Sequence, residues 1–115
     1  MTGCLVMVRF RLVPGARRNA FLATAPEVTD WFARQPGFQY RTLVEGAGGS
    51  WMDLIWWDST ATAQAAARKF IGALGATAFM AAIDPRTIES GLHPVPYRGD
   101  GSIVERAPMP APVFA

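Results

Sequence analysis

The chain has 115 residues, half of them apolar and 17% charged, with a formal net charge of +2. That length suits one domain able to bury roughly two thirds of its unfolded surface, so no disulfide or metal staple is required. The few scattered arginines exclude a nucleic-acid-binding stripe, the lone Cys4 excludes an intrachain disulfide or a cysteine-built metal site, and no apolar run approaches the ~20 residues of a membrane span.

Leu5 to Val13 reads as the first strand. Val6, Val8, Phe10 and Leu12 fall on one face and Leu5, Met7, Arg9, Arg11 and Val13 on the other. Cys4 stands just ahead of it, with no base beside it in sequence, and is read as incidental. Nothing ahead of Gly3-Cys4 resembles a leader, so a cytoplasmic setting is expected. Pro14-Gly15 ends the strand.

Ala16 to Gln35 is helical, with Phe21, Ala25, Val28 and Phe32 as its apolar stripe. Pro26 interrupts the stripe, and Thr24-Ala25-Pro26-Glu27 would also fit a second helix start. The continuous stripe favours one kinked helix, which Pro36-Gly37 stops. Phe38 to Glu45 and Ser50 to Asp58 are strands joined by the glycine-rich loop Gly46 to Gly49, a hairpin signal. This spacing sets Leu43 near Trp51 and Arg41 near Asp53 on one face.

Ser59 is the expected N-cap of a second helix over about Thr60 to Ala82. Its buried stripe is Ala63, Ala66, Ala67, Phe70, Ile71, Leu74 and Ala78. Gly72 and Gly75 weaken it and could split off a piece near Thr77. Asp84-Pro85 breaks it, and Arg86 to Val95 is the last strand, with Pro94 and Pro96 marking an edge. Residues 1–97 thus form one domain, and 98–115 form an extended proline-rich tail.

The order strand, helix, strand, strand, helix, strand predicts an α+β, ferredoxin-like βαββαβ fold: a four-stranded antiparallel sheet with its helices on one face. The other face carries Trp, Leu and Met side chains and needs cover. A second copy of the chain is the simplest source, making a homodimer the expected assembly.

Gln35-Pro36-Gly37-Phe38, Arg41 and Leu43, Gly49-Ser50-Trp51-Met52-Asp53, Trp57-Asp58-Ser59 and Ile83-Asp84-Pro85 together resemble the antibiotic biosynthesis monooxygenase-like family, over roughly residues 5 to 95. The resemblance implies a dimeric α/β barrel with a pocket between sheet and helices in each subunit. It implies an architecture more than a chemistry. Relatives of this kind include cofactor-free oxygenases of aromatic polyketides, and enzymes that degrade haem using an asparagine, a tryptophan and a helical histidine. Here the only asparagine, Asn19, lies near the start of the first helix and the only histidine, His93, lies in the last strand, so haem degradation is the poorer match.

On this basis the expected function is cofactor-independent oxygenation of a small aromatic or apolar molecule, with no metal, no cofactor, no nucleic-acid partner and no membrane. The alternative is a dimer that binds a ligand, or only serves as structure, without catalysis. Arg41 would stabilise a phenolate or enolate and Asp53 would accept a proton; a cross-strand ion pair that fixes register is the plainer reading of the same two residues. Trp51 and Trp57 share a face and Trp56 takes the other. They offer an aromatic wall for a flat ligand, or plain packing. Tyr40 is a further candidate for binding substrate. His93 is a candidate general base or, more plainly, a strand-end histidine.

Overall fold

The computed structural model describes residues 3–99. The elements are β1 (Gly3–Arg11), α1 (Arg18–Ala33), β2 (Phe38–Glu45), β3 (Ser50–Trp57), α2 (Thr60–Leu74), α3 (Ala78–Ala81) and β4 (Glu89–Val95). The sheet has four strands in the order β2-β3-β1-β4, every neighbouring pair antiparallel. This is the expected ferredoxin-like arrangement. Of the tail at 98–115, residues 100–115 lie outside the described residues.

Period-two alternation sorts the strands into two faces. On β3, Trp51, Asp53, Ile55 and Trp57 are buried toward the helices. On β1, Cys4 and Phe10 are buried on that same side, at 1% exposure each. Cys4 is therefore a core residue inside β1, paired with Trp57, and not a residue preceding the strand. The reverse face presents Leu5, Met7, Met52, Leu54 and Trp56, all partly exposed, with Tyr40 and Val44 beside them. No helix among the described residues covers that face.

The hairpin is tighter than the sequence suggested. Glu45 pairs with Trp51 and Gly46 N–H donates to Ser50 O at 2.8 Å, so the turn is Ala47-Gly48-Gly49. Gly48 and Gly49 take φ of 67° and 80°, a region glycine enters without steric cost. The register therefore places Leu43 opposite Asp53 and Arg41 opposite Ile55, two residues away from the expected pairing. A shift of two preserves the face of every side chain. A second irregularity sits between Phe38 and Tyr40, where a bulge lets Phe38 face the core against Trp57 while Tyr40 keeps the outward side it shares with Thr42 and Val44.

α1 is one helix with Pro26 inside it. The alternative start at Thr24 is not used: Thr24 Oγ1 donates to Phe21 O at 2.6 Å within the same helix. α2 is shorter than expected. It begins on Ser59, whose hydroxyl accepts from Thr62 N–H, and stops at Leu74; Thr77 then caps the single turn of α3. The break re-aims the chain, so Phe79 is buried while Ala78 is exposed; within α2 the expected stripe is narrower, with Ala67 and Ile71 exposed, the latter at 66%. Strand β4 begins three residues later than expected, because Asp84 accepts from Arg86 N–H and holds Pro85–Thr87 in a 3-10 turn.

Candidate functional site

Helix α2 lies over β1 and β3 and presents Ala63 and Ala66 to them. Their methyl groups are too short to fill the space above Val6, Val8 and Ile55. A cavity of about 300 Å³ remains between helix and sheet, at the lower end of the roughly 300–1,000 Å³ usual for small-molecule sites. Its ends are aromatic, with Trp57, Phe32 and Phe70 on one side and Phe10 and Phe79 on the other. The lining turns outward at Ala67, Ile71, Ile88 and Ser90, all of them exposed, so the mouth lies between α2 and β4. Apart from Asp53 and Ser90, every lining residue is apolar.

Asp53 is 6% exposed and is the charged residue that lines the cavity. Arg41 reaches it diagonally from β2. Nε donates to Oδ1 at 2.9 Å and Nη2 to Oδ2 at 2.6 Å, a bidentate pair. Arg41 Nη1 also donates to Ala25 O at 3.0 Å and to Thr29 Oγ1 at 2.9 Å. The guanidinium sits 5.7 Å from the Phe32 ring centre and 5.1 Å from that of Phe79. It thus ties β2, β3 and α1 together between two aromatic clusters, and four of its five N–H donors are already engaged. A carboxylate offers about four lone-pair sites, so Asp53 keeps acceptor capacity after Arg41 has taken its share.

No protein-family model matches the sequence, and no curated protein matches it. Solved structures do match. SnoaB from Streptomyces nogalater, a cofactor-independent oxygenase, is 23% identical, with 88% of this chain and 98% of that one covered and a TM-score of 0.66. NE2512 from Nitrosomonas europaea, a protein of unknown function, is 16% identical, covers 97% of this chain and 98% of its own, and has a TM-score of 0.65. A Chloroflexus aurantiacus protein provisionally assigned as an antibiotic biosynthesis monooxygenase is 19% identical, at 86% and 97% coverage, with a TM-score of 0.58. The fold is that of the antibiotic biosynthesis monooxygenase-like proteins.

Within this monooxygenase-like fold the expected site residues separate. Asp53 and Trp57 line the cavity, and Arg41 stands directly behind Asp53. Trp51 is buried elsewhere in the core, edge-on to Phe21 at 5.1 Å, and does not line the cavity. Tyr40 lies on the opposite face of the sheet, 51% exposed and 5.0 Å from the Trp56 ring, because strand alternation puts it on the side away from inward-facing Arg41. His93 pairs with Leu5 and is exposed on that same outer face. Asn19 sits at the exposed start of α1. Neither Tyr40 nor His93 can touch a ligand in the cavity of its own chain.

Sequence reasoning missed Ser90 as a lining residue. Its side of β4 follows from alternation, but only the pairing with Val8 brings it over the cavity. The role of Ala63 and Ala66 was half visible. Their spacing marks a buried stripe, while the unfilled volume beneath them depends on what β1 and β3 place opposite. No helix among the described residues is long and apolar enough to cross a membrane.

Proposed function

We propose that the chain is a cofactor-independent oxygenase of a small planar aromatic substrate and works as a homodimer. The observation that carries this reading is an apolar cavity of about 300 Å³ whose deep wall holds one buried carboxylate, Asp53. The shared fold with SnoaB adds support. An anthrone-like substrate carries an acidic methylene between two rings. Asp53 accepts a proton from it, and the resulting anion gives its electrons directly to dioxygen. One oxygen atom ends as the new ring carbonyl and the other leaves as water. All four electrons come from the substrate methylene, so no other reductant is required. Arg41 acts through Asp53, which it orients, and the apolar walls keep water from quenching the anion. Oxygen uptake with a panel of anthrones is the test, comparing wild type with Asp53→Asn. Uptake that falls at least 100-fold in the variant is expected, in line with a lost general base. No uptake by wild type on any of them refutes the enzymatic reading.

The second reading is a binding protein without turnover. The completeness of the Arg41–Asp53 pair favours it, since each partner satisfies the other without a ligand. Saturable ligand binding with no oxygen consumption would establish it. The dimer proposal rests on the outer sheet face. Leu5, Met7, Met52, Leu54 and Trp56 make a continuous apolar surface there, of the kind a self-complementary two-fold interface covers.

A further inference from the structure

Two polar residues break the apolar lining of the cavity, and the sheet sets their separation. Val8 on β1 is paired with Asp53 on one side and with Ser90 on the other. The three residues form one row across the sheet, all on the helix-facing side. Asp53 stands at the closed end, 6% exposed, and Ser90 at the open mouth. Each step between paired residues is roughly 5 Å, so the two Cα atoms lie roughly 10 Å apart. Between them the floor is the Val8 side chain and the roof is α2 with Ala63 and Ala66. Ser90 makes no side-chain hydrogen bond to any of the described residues, so its hydroxyl is open to a partner in the cavity as donor or acceptor.

From this geometry we infer that Ser90 is the second anchor for the ligand, and that it selects, among fused-ring aromatics, those whose hydroxyls stand at opposite ends. The inference rests on the cavity being the binding site, and it adds a residue that sets specificity there. The deep end must donate, because Asp53 only accepts. The outer end meets a hydroxyl and tolerates donor or acceptor. With a hydrogen bond of about 2.8 Å at each end, the matching ligand atoms are separated by roughly 4 to 10 Å. Hydroxyls on neighbouring ring carbons fall short of that span; those on the far edges of two fused rings meet it.

Binding of three probes by titration calorimetry separates the alternatives: 2-naphthol, 2,6-dihydroxynaphthalene and its 2,3-isomer. Wild type should bind the 2,6-isomer about fivefold more tightly than 2-naphthol, the gain of one net hydrogen bond. Ser90→Ala should remove that gain while leaving 2-naphthol and the 2,3-isomer unchanged, and Ser90→Thr should retain it. Equal affinities for the two isomers, or a Ser90→Ala variant that keeps the preference, would overturn the inference. If 2-naphthol still binds in that case, and Ala66→Leu abolishes it by filling the cavity, the site itself stands and only the role of Ser90 falls. No binding of any probe to wild type would overturn both together.

Discussion

Replacing Arg41 by methionine should be among the most damaging single changes in the core. Its side chain is 3% exposed and that of Asp53 is 8% exposed, so the pair is buried. Arg41→Met leaves the Asp53 carboxylate without a partner in an apolar wall and takes a donor from Ala25 O and Thr29 Oγ1. Removing one member of a buried pair costs about 3–5 kcal/mol. Against a total stability of roughly 5–15 kcal/mol, that is a large fraction. For a domain of this size it lowers the melting temperature by at least roughly 12 °C. Replacing both partners together, as Arg41→Met with Asp53→Leu, removes the stranded charge. The double variant should return to within about 1 kcal/mol of wild type. Urea unfolding of all four proteins, followed by tryptophan fluorescence, gives the coupling directly. A single-variant cost under 1 kcal/mol would mean the pair behaves as a surface contact. A double variant as unstable as the sum of the singles would mean the two residues act independently. Either result refutes the account of the pair as one buried unit.

Gly37→Ala should cost about 1–3 kcal/mol, because φ there is +84° and an added methyl would stand 2.5 Å from Asp58 Oδ1 and Thr62 Oγ1; thermal unfolding measures it. The Arg86 side chain, and then its backbone N–H, hold the Asp84 carboxyl below its usual 3.8. A carboxyl with a depressed folded pKa stabilises above its unfolded value, and that contribution fades as pH falls through the folded one. Arg86→Ala should therefore move the Asp84 titration upward; the contribution becomes smaller, and its fading, which still begins near the unfolded value of about 4, is complete at a higher pH. Carboxyl-carbon NMR reads the shift, and an unmoved titration would reject the assigned cause. Leu54→Glu puts a charge in the middle of the outer sheet face without touching the cavity. It should yield a folded monomer by sedimentation at micromolar concentration, whereas a wild type that is itself monomeric would end the dimer proposal.

The sequence by itself determined the element order and the side each strand residue takes. Alternation in β1 and β3 and the three- and four-residue spacing in α1 and α2 are local properties of the chain, and so are the caps at Ser59 and the turn glycines. That is why alternation alone assigns Trp51 and Trp57 to one face and Trp56 to the other. What lies across from what is not local. The hairpin register moved by two residues because the turn closed on Ala47–Gly49. The bulge after Phe38 brought that ring into the core, and the pairing of β4 with β1 put Ser90 over the cavity. The cavity exists because short alanines on one helix meet valine and isoleucine on strands distant in the chain. Packing across such distances, and not any single segment's pattern, decides where space is left and which polar groups border it.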